Sequence, residues 1–154
     1  KESMKCSQTL AWNLIPKLIK NSIQQEWKNN KWGVHIHCPD TSTPKDGPSA
    51  GAAITLGLVS LLTGIPVINT VALTGEIDLR GNINSIGGLG SKIEGGKNAG
   101  ADLILYPISN SKEIEIIKNT DPYILEDIKI KPVRTIWEVL DICLVENNLK
   151  FNRF

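Results

Sequence analysis

The sequence predicts a single domain of mixed α/β architecture, with small sheets packed against helices. Apolar residues recur at helical spacing in some segments and at strand spacing in others, and the two kinds alternate with short connections. The length of 154 residues suits one domain with one sizeable core. An apolar fraction of 41% and a charged fraction of 21% are ordinary for a globular protein.

Five helices and five strands are predicted, in alternation along most of the chain. The first helix covers 3–27, with Pro16 as an interior disturbance. Caps are expected at Ser111 and at Thr135, the latter with Glu138 three residues further on. The other helices are predicted over 49–62, 91–99, 111–118 and 135–145, and the strands over 34–38, 67–77, 83–86, 102–106 and 128–133, with a long loop over 39–48 and a turn over 80–82.

Charge and cysteine content limit the partners and the compartment. The net charge is +1 without a block of like charges, so nothing indicates binding to nucleic acid or to an anionic membrane. The longest apolar run, 50–62, is too short to span a bilayer. Three scattered cysteines (Cys6, Cys38 and Cys143) favour a reducing compartment, either the cytoplasm or an organelle matrix. Because the chain begins at Lys1, we expect a fragment or a processed product.

A serine flanked by glycines lies where a loop is predicted to enter a helix. Residues 43–51 read Thr-Pro-Lys-Asp-Gly-Pro-Ser-Ala-Gly, which places Ser49 at the helix start. Backbone N–H groups converge there and can stabilise an oxyanion, so a nucleophilic role is one interpretation. Helix capping by Ser49 is the more common role and stays open as an alternative. A phosphate-binding P-loop is excluded, because the Walker pattern is absent.

A nucleophilic serine needs a base, and two kinds of side chain compete for that role. His35 and His37 point to the same side of the predicted strand, but neither has a local carboxylate to orient it. A lysine can replace histidine if burial among apolar groups lowers its pKa from ~10.4. Lys92 is the candidate, because it follows an apolar and glycine-rich approach over 86–91. Serine–lysine dyads are a known variant of the triad.

Four blocks of sequence together resemble the proteolytic domain of the Lon protease family. The 43 positions between Ser49 and Lys92 are similar to the spacing of that family's dyad. The resemblance covers the whole chain, so 1–154 is identified as a Lon-type proteolytic domain from which the N-terminal part and any ATPase module are missing. The blocks are 35–37 (His-Ile-His), 44–51 (Pro-Lys-Asp-Gly-Pro-Ser-Ala-Gly), 72–77 (Ala-Leu-Thr-Gly-Glu-Ile) with 79–81 (Leu-Arg-Gly), and 86–89 (Ile-Gly-Gly-Leu) leading to Lys92.

The resemblance implies a serine endopeptidase that degrades unfolded or damaged proteins with a dyad of Ser49 and Lys92. It also implies a hexameric ring and no cofactor or metal in this domain, with ATP and Mg²⁺ expected only on a separate ATPase module. Thr74 would help to hold the catalytic lysine. Glu76 and Asp46 would support or gate the site, and Asp46 could pair with Lys92 until the ring assembles. An ordinary strand threonine, a turn carboxylate and a surface ion pair are the alternatives for these three.

The sequence departs from the family pattern around the lysine. Ser91 stands where the family usually has glutamate, and residues 95–98 (Gly-Gly-Lys-Asn) replace an alanine-rich helix. The loop before the serine has Asp-Thr-Ser at 40–42 instead of Glu-Gly-Ala. Two glycines in a short helix cost about 1 kcal/mol each relative to alanine, so we expect a looser segment around Lys92.

Three other functions remain open at the level of sequence. A small-molecule kinase is suggested by the glycine-rich stretch 88–91, although Lys92 follows where such loops have small polar residues. A non-catalytic Lon-like interaction module would be expected to lack a dyad residue, and both are present here. A stand-alone or self-processing serine–lysine peptidase is the alternative within the protease class.

Overall fold

The computed structural model describes residues 2–30, 33–37, 48–145 and 148–154. These ranges contain six α-helices and two small sheets, which confirms the predicted mixed α/β class. The helices are α1 (Glu2–Leu14), α2 (Lys17–Asn30), α3 (Gly51–Thr63), α4 (Leu89–Asn98), α5 (Ser111–Thr120) and α6 (Ile136–Cys143). The strands are β1 (Val71–Leu73), β2 (Glu76–Ile77), β3 (Ile83–Asn84), β4 (Leu103–Pro107) and β5 (Lys129–Val133), and 3₁₀ turns cover Ile108–Asn110 and Pro122–Leu125.

A three-stranded parallel sheet in the order β1-β4-β5 separates two hydrophobic cores. Successive strand residues point to opposite faces, so β4 contributes to both cores. Leu105 packs into the larger core with α1, α3 and α6, while Ile104 and Tyr106 pack into the smaller core with α4 and α5. Helices that carry functional residues can therefore approach the sheet from either side.

The predicted helix over 3–27 is two helices, α1 and α2, that break at Ile15 and Pro16. Proline lacks the N–H needed for the helical hydrogen bond, and its ring clashes with the preceding turn. Ile15 itself is fully buried, so the break is packed into the larger core. The sequence located the disturbance correctly but underestimated its effect.

The predicted strand over 67–77 is also interrupted. Val67 forms only an isolated bridge with Leu144, β1 pairs with β4, and β2 pairs with β3 in a separate antiparallel hairpin. Between the strands, Gly75 leaves the sheet and exchanges backbone hydrogen bonds with the segment that begins α3. A Cβ on Gly75 would collide with the side chain of Ile83, so this path requires glycine.

The predicted strand over 34–38 is wrong for the part that the structure describes, 33–37. Val34 and Ile36 pack against the larger core, while His35 and His37 are exposed and stack with their ring centroids 6.3 Å apart. The alternation of burial is therefore present. No strand forms because, within the described ranges, the backbone of this segment has no partner strand.

The predicted cap at Ser111 is wrong, whereas Thr135 is at the N-cap position as predicted. Ser111 is the first residue of α5, and its hydroxyl donates to the carbonyl of Ile108 at 2.7 Å. Thr135 precedes α6 but makes no capping hydrogen bond, and Glu138 accepts from the N–H of Arg134 instead. No helix within the described ranges is long and apolar enough to cross a membrane.

Candidate active site

Ser49 lies in a tight turn directly before α3. The N–H of Gly51 donates to the carbonyl of Pro48 at 2.9 Å and closes the turn. Ala50 is the residue that precedes the helix, and no side chain that the structure describes caps α3. Ser49 is therefore not a helix cap, and its hydroxyl is available for another partner.

Thr74 and Gly75, which directly follow β1, hold the backbone of Ser49 in place by hydrogen bonds. The carbonyl of Ser49 accepts a hydrogen bond from the N–H of Gly75 at 2.8 Å and from the hydroxyl of Thr74 at 3.4 Å. Gly75 in turn accepts from the N–H of Ala52 at 3.0 Å. Because Thr74 is only 8% exposed, this attachment is shielded from water. The resemblance assigned Thr74 to the lysine, whereas its hydrogen bond here goes to the serine segment.

Lys92 reaches Ser49 from the opposite side of the sheet. It lies on α4 next to Ile93, which is fully buried in the smaller core, while α3 packs into the larger core. The Lys92 Nζ donates to the Ser49 Oγ at 3.3 Å across 43 positions of sequence. Of the side chains that the structure describes, Lys92 is the one hydrogen-bonded to this hydroxyl.

Ser49 and Lys92 line a cavity of about 290 Å³ whose remaining walls are largely apolar. Thr74 is the other polar side chain in the lining, and no carboxylate among the described residues faces this cavity. A hydroxyl and an amine thus meet at the wall of a small cleft that could receive an uncharged group. The other lining residues are Ala50, Ala53, Ala72, Leu73, Gly96 and Ile104.

Comparison of the sequence with known proteins shows to which family the chain belongs. The sequence profile of the Lon protease (S16) C-terminal proteolytic domain matches residues 1–146. The chain belongs to this family. It is 41% identical to a Lon protease of Buchnera aphidicola subsp. Baizongia pistaciae over 152 residues, which are 98% of the chain and 18% of the relative.

Two other Lon proteases show a similar likeness. The protein from Orientia tsutsugamushi is 43% identical over 138 residues, 90% of the chain and 17% of the relative. The protein from Escherichia coli K12 is 45% identical over 114 residues, 74% of the chain and 14% of the relative. The chain thus spans less than a fifth of the length of these relatives.

Gly96 has a packing role in this Lon-type domain that the sequence did not reveal. It lies one helical turn after Lys92, and a Cβ there would come within 2.8 Å of the Ile104 Cδ1 and 3.4 Å of the Ala72 Cβ. Glycine therefore lets α4 lie close to the sheet beside the cleft. Gly95, its neighbour, has open space around the same position.

Of the other residues that the Lon resemblance singled out, Glu76 is not brought into this cleft. Glu76 lies on β2 and lines a separate groove of about 760 Å³ beside α1, together with Cys6 and Asp78. Asp46 lies outside the described residues, so its proposed pairing with Lys92 stays a prediction.

Two groups in the Glu76 groove have altered acidity. Burial alone would raise the pKa of Asp78, but hydrogen bonds from the Asn82 side chain and from the backbone N–H groups of Asn82 and Arg80 hold it below its usual value. The pKa of the Cys6 thiol is raised by burial and by nearby carboxylates, that of Asp78 foremost. Among the described residues, no group of three or more histidine, cysteine, aspartate or glutamate side chains is placed to hold a metal ion.

Proposed function

We propose that this chain is a serine endopeptidase domain in which the Ser49 Oγ is the nucleophile and Lys92 is the general base. The observation that carries the proposal is the 3.3 Å hydrogen bond between the Lys92 Nζ and the Ser49 Oγ. Membership of a family of proteolytic domains supports it independently. The two histidines are weaker candidates for the base because they stack on each other and are exposed.

The proposed reaction needs Lys92 as an uncharged amine. Lys92 takes the proton of the Ser49 Oγ as the oxygen attacks the carbonyl carbon of a peptide bond. The resulting ammonium then returns a proton to the departing amine nitrogen, which leaves an acyl group on Ser49. Water, deprotonated by Lys92, hydrolyses that ester and restores the hydroxyl. A separation of 3.3 Å is at the long end for this proton transfer, as is common before substrate binds.

The start of α3 supplies the candidate donors for the tetrahedral oxyanion. The N–H of Gly51 is already bonded to the Pro48 carbonyl, so it is occupied. The N–H of Ala50 has no acceptor within the described ranges and lies next to the nucleophile, at the positive end of the helix. We assign it as the principal donor, a type of group whose loss typically costs ~10²–10³ in rate.

For the full-length protein we propose the further properties that the Lon resemblance implies. These are unfolded or damaged proteins as substrates, a hexameric ring, and an ATPase module that uses ATP and Mg²⁺. We propose no cofactor or metal in the domain itself, and a cytoplasmic or other reducing compartment. The similarity to proteins named Lon protease supports this extension.

Two substitutions test the dyad against matched controls. Ser49→Ala and Lys92→Ala should each abolish cleavage of an unfolded protein such as casein, measured by release of labelled peptides. Ser91→Ala and Lys112→Ala change exposed residues of the same two types and should leave the rate unchanged. Full cleavage by either dyad variant would contradict the proposal.

A further inference from the structure

A buried asparagine ties the loop before α4 to the start of α5. Asn110 is 6% exposed, and its side-chain amide bonds to both backbone groups of Ile86. The Asn110 Oδ1 accepts from the N–H of Ile86 at 3.1 Å, and the Asn110 Nδ2 donates to the Ile86 carbonyl at 2.8 Å. This two-point pairing resembles that of an adjacent strand and fixes both the position and the direction of the loop.

Glu113 continues the same connection into α4. Its Oε1 accepts from the N–H of Leu89, the first residue of α4, at 2.9 Å, and its Oε2 accepts from the Asn110 Nδ2 at 2.9 Å. The residue before α4, Gly88, has left-handed backbone geometry and provides no side-chain cap. The N–H groups at a helix start need external acceptors, and a carboxylate suits the positive end of the helix. Glu113 therefore caps α4 from a different helix.

Packing alone holds α4 weakly. The helix has ten residues, three of them glycines, and its buried residues are Leu89 and Ile93. Lys92 lies between these two positions, so small rotations or shifts of α4 move its amine directly. The hydrogen bond from Lys92 to Ser49 is already 3.3 Å long and has little room for further displacement.

We propose that Asn110 and Glu113 are positioning residues that hold α4 so that the Lys92 Nζ meets the Ser49 Oγ. The inference rests on the proposed function, since it concerns the alignment of the same dyad. Neither side chain touches the cleft, and both act through the backbone of residues 86–89. A misplacement of about 1 Å at a reacting group can cost about 10²-fold in rate, so loss of the connection should appear in kcat.

Three variants test the connection. Asn110→Asp keeps the shape but replaces the donor with an oxygen that faces the Ile86 carbonyl and the carboxylate of Glu113. Glu113→Gln leaves one oxygen for two donors. We expect each to lower kcat of peptide cleavage by about 10- to 100-fold with KM changed less than about twofold, as befits misalignment rather than lost binding. The double variant combines Asn110→Asp with Glu113→Gln, and there the new amide nitrogen at position 113 can donate to the new carboxylate at position 110. The kcat of the double variant should therefore be at least about fivefold higher than that of Asn110→Asp alone.

Glu115 lies on α5, like Glu113, and provides a control. It separates the positioning effect of Glu113 from a general effect of removing one negative charge from this helix. Glu115 is exposed and pairs only with Lys118 among the described residues, at 2.7 Å, so Glu115→Gln should leave kcat unchanged. Each variant is assayed in the full-length protein well below its own thermal midpoint. If Asn110→Asp does not fold, Glu113→Gln decides alone, because that side chain is only half-buried.

The outcomes distinguish this inference from the function on which it rests. Unchanged kcat in folded Asn110→Asp and Glu113→Gln, with Ser49→Ala inactive, would overturn the positioning role and leave the dyad standing. Loss of kcat in both single variants without recovery in the double variant would also overturn it. If either Ser49→Ala or Lys92→Ala remained fully active, the proposed function would fall first and the positioning role with it.

Discussion

The neighbouring glycines of α4 offer a matched pair of substitutions with opposite expected effects. Alanine is favoured over glycine in a helix interior by about 1 kcal/mol. At Gly95 nothing lies within 4 Å of an added Cβ, so Gly95→Ala should raise the free energy of unfolding by about 0.5–1 kcal/mol. At Gly96 the added Cβ would lie 2.8 Å from the Ile104 Cδ1, and Ile104 is only 2% exposed.

Overpacking a buried site costs about 1–3 kcal/mol. Against the gain of about 1 kcal/mol from helix propensity, Gly96→Ala should lower the free energy of unfolding by about 0–2 kcal/mol. Urea denaturation of both variants gives the comparison, and peptide cleavage should fall only for Gly96→Ala because Gly96 lines the cleft. Equal or greater stability of Gly96→Ala relative to Gly95→Ala would refute the close approach of α4 to the sheet.

Three further predictions follow from single contacts. Thr74→Val keeps the shape but removes the hydroxyl that donates to the Ser49 carbonyl, so it should lower the free energy of unfolding by about 1 kcal/mol in urea melts, and an unchanged free energy would count against this hydrogen bond. Burial raises the pKa of the Cys143 thiol to about 11, so mass spectrometry should find Cys143 unalkylated at pH 8 until the protein unfolds, and prompt alkylation would contradict its burial. Because the pKa of Asp78 is lowered on folding, its stabilising effect is complete above the usual aspartate range and is lost as the pH falls through the lowered value. Asp78→Asn should therefore weaken the dependence of stability on pH in acid, and an unchanged slope would count against the Asn82 and Arg80 contacts.

Local patterns predicted the elements whose formation depends on local sequence. β4 and β5 lie within a residue of their predicted bounds. β4 is a compact apolar run with four buried residues, which is the pattern of a buried strand. The strand expected over 34–38 is absent from the part that the structure describes, because a strand needs a partner and none lies within the described ranges. The alternation of burial in the segment carries no information about a partner. The single strand expected over 67–77 failed because Gly75 bonds to the start of α3 instead of continuing in the sheet.

The candidate site was predictable in its residues but not in its supports. The motifs indicated Ser49 and Lys92, and the structure brings these two side chains together. The capping of α4 by Glu113 depends on a contact with Leu89, which lies 24 positions earlier in the sequence on another helix. Local sequence patterns give no information about such a contact. Side chains that act across elements are therefore the part of the site that sequence patterns leave undetermined.

Covalent labelling of Ser49 tests the dyad most directly. A fluorophosphonate probe should modify the Ser49 Oγ in the unaltered protein, located by mass spectrometry of the peptide. The same probe should leave Ser49 unmodified in Lys92→Met, which keeps the length of the side chain but cannot accept a proton. Equal labelling of Ser49 in both proteins would show that Lys92 does not activate the serine and would contradict the account.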